Sequence, residues 1–288
     1  MTDKLILGFI SRMPGFSPTV TKVFEVCNRS ATSSHDLNRV ISLDPVLTGR
    51  VMKLVNSAYY SLGKEVTSLI HAIILLGLNT VKNLALSTAV LESIGGMGSF
   101  RSLSMDDFWV HSLGVGVIAR SFARQTGIPV TEQEEYFVAG LLHDLGKIPL
   151  AHCYPEKYNR ALETVITERM SLHEAERMAF GFDHCAVGGL IADKWRLHRN
   201  FSDVCRHHHD LEGGGSDNRH FISVASLANC YANHWHIGAA GDAPPQAALM
   251  ERLRNAVGLD AARIEALREN VLEDIENARI FLQVASEG

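Results

Sequence analysis

The sequence predicts an all-α protein. Helix start and stop signals recur along its length, and apolar residues repeat at helical spacing. Runs that alternate apolar and polar residues, as half-buried strands do, are nearly absent. With 46% apolar and 20% charged residues over 288 positions, the chain can pack a core, and wholesale disorder is excluded.

Asp44-Pro45 opens a predicted helix over VLTGRVMKLVNSAYY, with proline at the first helical position, where its missing N–H is harmless. Ser68 precedes LIHAIILLGL, which is apolar nearly all round and therefore expected to be buried. Gly77 breaks this helix ahead of NTVKNLALSTAVLESI. The stretch GGMGS at 95–99 reads as a linker. Ser104 and Asp107 stand at capping-box spacing, and Asp106 and Asp107 suit the positive end of a helix dipole. Gly127 and Pro129 end that helix. Thr131 and Glu134 repeat the capping-box spacing before EQEEYFVAGLLHDLG, which Gly146 stops. Pro155 opens a helix to about Met170. Ser171 and Glu174 start another that ends near Gly181, and Asp183 is placed to cap HCAVGGLIADKWRL. A short helix through VCRHHHD, the loop GGGSDN, a helix over HFISVASLANCYANHW and the loop GAAGDAPP follow. A long amphipathic segment closes the chain, with apolar residues at 264, 267, 271, 275, 278, 282 and 285. Its stripe is expected to cover the chain's own core, the other outlets being a second copy in a homodimer or a partner. The organisation expected is an N-terminal helical lobe over 1–98, a second helical lobe over 99–240 and a C-terminal extension over 241–288.

Lys and Arg number 27 against 32 Asp and Glu, a net charge of −5. That balance argues against a whole-surface footprint for nucleic acid or anionic membrane. LIHAIILLGLNTVKNL has a helix–turn–helix flavour, but residues 1–95 hold nine Lys/Arg against six Asp/Glu, which is not a basic patch. No apolar run approaches the roughly 20 residues of a membrane span, and the N-terminal apolar stretch is too short for a signal peptide. The expectation is a soluble, cytoplasmic protein without a membrane partner. Five cysteines, an odd number with no Cys-x-x-Cys, are expected to be small buried hydrophobes in a reducing compartment.

Histidine is the anomaly: eight of the 14 fall between positions 184 and 236. His143-Asp144 in LLHDLGK can present an imidazole and a carboxylate to one cavity, a pair that suits a divalent metal. Lys147, just past Gly146, can offer its ammonium to a phosphate oxygen. A buried His–Asp hydrogen bond with a solvated Lys147 is the other outcome for this motif. His111 lies one turn after Asp107, so the two can act together, although capping alone also accounts for Asp107. Gly114 and Gly116 would let another helix approach close to His111. His184, at the first turn of its helix, is acceptable as a neutral ligand, or else faces water. Of His207-His208-His209 at most two can face one site. Taken together with His111 and His143-Asp144, these residues favour a shared metal site. Histidines 198, 220, 234 and 236 have no ligand partner at useful spacing.

The order of these motifs resembles the HD superfamily of metal-dependent phosphohydrolases: His111, then HDLGK, then His184 in GFDHCAVGGLIADKW, then HHHD. The N-terminal half narrows it. MPGFSPTVTKVFEVCN and the run from LNRVISLDPVLTGRVMKLVNSAYY to TVKNLAL are similar to the HDOD family, the HD-related output domains of bacterial signalling, over about residues 10 to 240. The resemblance implies a two-lobed all-α bundle with an HD-like C-terminal lobe and a role in signal transduction through a protein partner. The related HD-GYP phosphodiesterases hydrolyse cyclic di-GMP at a site of two or three metals. Carried over residue by residue, that site implies His111, His143, Asp144, His184, His208 and His209 as ligands, with Asp107 as an extra. Asp144 and Lys147 would be the catalytic residues, Lys147 facing a nucleotide or phosphate ligand. One or two divalent transition-metal ions (iron, manganese, zinc or nickel) are implied as cofactor. Two features depart from the pattern. The late metal-binding Asp is matched by Asn229 in SLANCYAN, and the Gly-Tyr-Pro signature is absent after HHHD. Partner binding with little or no hydrolysis is therefore expected, the alternative being a metal-dependent phosphohydrolase acting on a nucleotide or cyclic dinucleotide.

Overall fold

The structure, a computed structural model, describes residues 3–286 apart from 30, 96–101, 211, 212 and 214. Among the described residues there is no strand. Six helices come first: α1 (Lys4–Arg12), α2 (Pro18–Cys27), α3 (Ser34–Ile41), α4 (Pro45–Val55), α5 (Leu69–Leu76) and α6 (Leu78–Gly95). Then come α7 (Met105–Gln125), α8 (Val130–Leu142), α9 (Lys147–Cys153), α10 (Pro155–Glu168), α11 (Leu172–Phe180), α12 (His184–Lys194), α13 (Arg199–His207) and α14 (Arg219–His234). The C-terminal helices are α15 (Ala247–Val257), α16 (Ala261–Ala278) and α17 (Ile280–Ser286). No single described helix is long and apolar enough to cross a membrane.

The caps explain most boundaries. Asp44 accepts a hydrogen bond from the Leu47 amide with Pro45 behind it, and Asp183 accepts one from the Ala186 amide. Ser171 and Glu174 form a reciprocal capping box, and Gly181 closes the same helix at φ +79°. Three sequence expectations differ. Ser104 accepts from the Asp107 amide, but the Asp107 carboxylate stays exposed. Thr131 and Glu134 form no box: α8 starts at Val130 after Pro129, and the buried Glu134 accepts from Tyr60 Oη at 2.8 Å, with Arg120 Nε at 3.5 Å. Only one side of α5 is buried, through Leu69, Ala72 and Ile73, because it lies on α3, α4 and α6 as an outer layer that leaves Ile74 and Leu75 exposed. Most of the expected linker at 95–99 lies outside the described residues.

The centre of the molecule is α7, flanked by α8, α14 and α16. Gly140 on α8 faces Gly116 on α7 so closely that a Cβ on Gly140 would stand 2.5 Å from the Gly116 nitrogen. Backbone-to-backbone approach of this kind needs glycine. It is what draws His111 on α7 toward His143 at the end of α8, their ring centroids 5.7 Å apart.

Among the described residues the main apolar core runs from Ile6 to Val284, and a small second cluster of Ala161, Val165, Leu172 and Ala175 joins α10 to α11. α1 packs on α9 and α12, and α17 returns to α4 and α6, so the two ends of the chain reach across to opposite helix groups. The C-terminal stripe covers the chain's own core, but not as one helix. Ile264, Val271, Ile275 and Ala278 are buried on α16. The turn at Arg279 then rotates the register, so that Phe281 and Val284 are buried and Leu282 and Ala285 only partly. Phe281 packs at 4.8 Å from the Phe137 ring and 5.5 Å from Tyr59. Phe281→Ala is expected to destabilise the protein by about 3–5 kcal/mol in urea titrations. A loss below about 1 kcal/mol would mean that the tail is not integral to the core.

Candidate metal centre

Six elements converge on Asp144. α7 carries His111, the turn after α8 carries His143 and Asp144, α12 starts with His184 and Cys185, and the end of α13 leads into His208 and His209. α14 brings Asn229, and the loop after it brings Asp242. His111, His143, Asp144 and His184 are fully buried and His208 nearly so. His207 stays on the outer side of the α13 turn and is half-buried, as three successive helical positions require.

In four imidazoles Nδ1 is tethered and Nε2 is turned inward. Nδ1 of His111 meets the Ile237 carbonyl at 3.2 Å, that of His143 the Gly140 carbonyl at 2.7 Å, and that of His208 the Val204 carbonyl at 2.9 Å. His184 Nδ1 meets Glu176 Oε2 at 2.6 Å. The four Nε2 atoms surround the Asp144 carboxylate at 4.0, 3.2, 3.4 and 3.5 Å for His111, His143, His184 and His208. Tethering the outer nitrogen to a carbonyl or carboxylate is how proteins orient metal-ligating histidines.

Buried polar atoms left over in this centre test whether a cation fits. His143 Nε2, Asp144 Oδ1 and His209 Nε2 have no hydrogen-bond partner, although each is shielded from solvent. His111 Nε2 faces Asn229 Oδ1 at 3.0 Å, and His184 Nε2 faces His208 Nε2 at 3.3 Å. With the outer nitrogens donating, these are pairs of acceptors that need a proton or a cation between them. The ligand atoms fall into two groups, His111, His143 and Asp144, and then His184, Cys185, His208 and His209. His111 and His143 approach Asp144 Oδ2, and His184 and His208 approach Oδ1. The residues therefore fit divalent transition metal, with imidazole nitrogen, carboxylate oxygen and one thiol sulfur as donors.

The charges split the centre: Asp144 and His111 are held in the form that binds a cation, while His184 and His208 hold protons that a metal ion would have to displace. Burial alone would push the Asp144 carboxyl up, but His143 and the Lys147 ammonium outweigh it and hold it well below the usual carboxylate range. Burial and then His143 lower His111 to about 4, so it is neutral and its Nε2 lone pair is free. Burial opposes charge on His208, but Cys185 and Asp144 raise it to about 9. Glu176 raises His184 well above its ordinary value in the same way. Burial works against the Cys185 thiolate too, yet His208 and His184 bring it down to about 7.

Two expected residues behave differently. Asp107 is exposed and contributes its backbone carbonyl to the Ala239 amide at 3.1 Å, so it is not part of the centre. Lys147 does not offer a free ammonium: fully buried, it donates to Asp144 Oδ2 at 2.6 Å and to Asp242 Oδ2 at 2.5 Å. Glu176, Cys185, His173 and Asp242 are the residues sequence reasoning missed. His173 stacks on His209 at 4.4 Å. Cys185 directly follows His184, and that adjacency is the one local signal that was available. A cavity of about 480 Å³ opens onto His208, His209, Asn229 and Asp242 from outside.

Comparisons with known proteins agree with this architecture. A protein of Treponema pallidum (strain Nichols) with no assigned function is 26% identical over 233 residues, 79% of this chain. The chain spans less than half of that relative, 44% of its length. An HDOD domain protein of unknown function from Geobacter sulfurreducens is 26% identical with a TM-score of 0.78, covering 96% of this chain and 97% of that one. A provisionally named phosphohydrolase from Shewanella amazonensis shares the fold at 18% identity, with a TM-score of 0.71 and 99% of each chain covered. Residues 13–211, more than two thirds of the sequence, match the HDOD domain, and the chain belongs to that family.

Proposed function

We propose that this chain is a cytoplasmic bacterial signalling protein that holds one or two divalent transition-metal ions (iron, manganese, zinc or nickel) and acts mainly through contacts with a protein partner. Its organisation on this reading is an N-terminal lobe over 1–98, an HD-like lobe over 99–240 that carries the metal, and an extension over 241–288. The observation that carries the metal assignment is the set of four tethered imidazoles whose Nε2 atoms close on Asp144. His111, His143, Asp144, His184, His208 and His209 would hold the ions. A divalent ion at such a place supplies Lewis acidity toward phosphoryl oxygen and acidifies bound water.

The chain's own residues argue against rapid turnover. Paired cations need carboxylates to neutralise them and to take up a proton from water, and here Asn229 brings a neutral amide beside His111. Lys147, which would otherwise face a phosphoryl oxygen, donates to two carboxylates. Among the described residues Asp144 is left as the one carboxylate on the Nε2 side of the imidazoles, Glu176 meeting the outer Nδ1 of His184. A second reading, a phosphohydrolase acting on a nucleotide or cyclic dinucleotide, is favoured by the cavity of about 480 Å³ at the centre's edge and by the name of the Shewanella neighbour.

Metal-loaded protein incubated with cyclic di-GMP and with simple phosphomonoesters separates the two. Turnover far below the order of 1 per second typical of enzymes is expected for the wild type, with a gain in Asn229→Asp. Ordinary enzymatic rates in the wild type, abolished by His143→Ala, would establish the hydrolase instead.

A further inference from the structure

The geometry points to Asp242 as an internal stand-in for an oxyanion: a phosphate-bearing small molecule entering the cavity displaces its carboxylate from Lys147 and releases the segment 241–245. This rests on the reading of the chain as a signalling protein and supplies that protein with an input.

Lys147 is a fully buried cation with two carboxylates on one ammonium. They are not equivalent. Asp144 is also surrounded by His143, His184 and His208, and cannot leave without dismantling the centre. Asp242 pairs with Lys147 alone among the described residues. A buried ammonium that loses a partner must find another, so Asp242 leaves only in exchange for an anion.

The chain around Asp242 is built for such an exchange. Upstream it is pinned: Ile237 and Ala240 are buried, the Ile237 carbonyl meets His111 Nδ1, and the Ala239 amide donates to Asp107. Downstream, α15 begins at Ala247. Between these anchors, residues 241–245 make no backbone hydrogen bond among the described residues and are only partly buried. Pro244 and Pro245 have no amide to satisfy. Gly241, at φ +87°, supplies a left-handed position at the upstream end. The segment can therefore swing without breaking helix or ladder bonds. What holds it is the Asp242–Lys147 ion pair, the packing of Ala243 on the small cluster of Ala161, Val165, Leu172 and Ala175, and the contact of Gly241 with Leu162.

The place it would vacate suits an oxyanion. Asp242 stands between two cavities of about 480 and 670 Å³, and lines both. The first also carries Arg169 and Arg252 on its exposed side and His173 and His209 on its inner side. The facing acid, Glu174, is engaged by the Ser171 amide and hydroxyl. With Asp242 withdrawn, Lys147 and two arginines face one open volume. That set suits a phosphate group, whose oxygens replace the lost carboxylate on Lys147 while the arginines neutralise the remaining charge.

Titration calorimetry of inorganic phosphate into the full chain, metal-loaded and chelated, tests this. Asp242→Asn is expected to bind phosphate at least tenfold more tightly than the wild type, and Lys147→Met in the Asp242→Asn background to lose that gain. No tightening in Asp242→Asn, or a gain that survives Lys147→Met, overturns the inference. Hydrogen exchange on the wild type needs no variant. Saturating phosphate should speed exchange of the amides of residues 241–243 by tenfold or more, and unchanged exchange overturns the inference. Rapid phosphodiester turnover would sink the signalling reading while leaving phosphate at Lys147, so the two failures are distinct.

Discussion

Asp144→Asn is expected to strip the protein of bound metal and to destabilise it by about 3–5 kcal/mol, the cost of breaking a buried ion pair from one side. The substitution keeps the shape of the side chain and removes only its charge. Four imidazole Nε2 atoms lie within 4.0 Å of that carboxylate, and Lys147 donates to it at 2.6 Å. A neutral amide cannot balance divalent ions there, and it leaves the Lys147 ammonium with Asp242 alone. Metal content of protein purified without chelator should fall from near stoichiometric to less than about a tenth, since losing a group that touches the ion should exceed the 10–100-fold typical of losing one that only hydrogen-bonds a ligand. Chelating the wild type should reproduce part of the loss in stability, because metal binding is coupled to folding. Asp107→Ala, on an exposed carboxylate one helical turn from His111, should change neither quantity. Metal retained in Asp144→Asn would remove the carboxylate from the centre altogether.

The parts of this centre that were legible in the sequence are those whose signal is local. His143 and Asp144 are adjacent, His208 and His209 are adjacent, and His184 follows its own cap at Asp183. Capping chemistry acts within four residues, which is why the helices opened by Asp44, Ser171 and Asp183 begin where the sequence places them. Where a residue's partner lies far away in the chain, the local pattern misleads. Glu134 has capping-box spacing from Thr131, yet it is drawn inward by Tyr60, 74 residues earlier, and by Arg120. Lys147 reads as a free cation until Asp242 arrives from 95 residues away. Glu176 looks like an ordinary helical acid, and its role depends on the turn at Gly181 that folds it back onto His184. The C-terminal stripe followed helical periodicity correctly as far as Ala278. It failed beyond, because a turn at Arg279 shifts the register by one residue.

Gly146→Ala is the glycine substitution expected to do the greatest damage, and the reason is space rather than backbone conformation. Gly146 has φ −66° and ψ −17°, values any residue adopts. A Cβ there, however, would run into the His184 carbonyl oxygen and stand 2.5 Å from the Gly188 amide nitrogen. Both obstacles are backbone of α12, so no side-chain rotation relieves the clash. The 143–146 turn and the start of α12 must separate, and this moves Asp144 and His143 away from His184 and Cys185. Overpacking of this kind costs about 3 kcal/mol or more when the neighbour is backbone, and metal affinity should fall together with stability. Gly127→Ala is the opposite case. Its φ of +81° disfavours a side chain, but nothing lies within 4 Å of the new Cβ. Its cost should be the left-handed penalty of about 1–2 kcal/mol, with metal binding unchanged. Urea titrations and metal analysis of the two variants side by side should place Gly146→Ala well below Gly127→Ala in both. The reverse order would mean that the turn and α12 do not meet at Gly146, and the two halves of the ligand set would then not share Asp144.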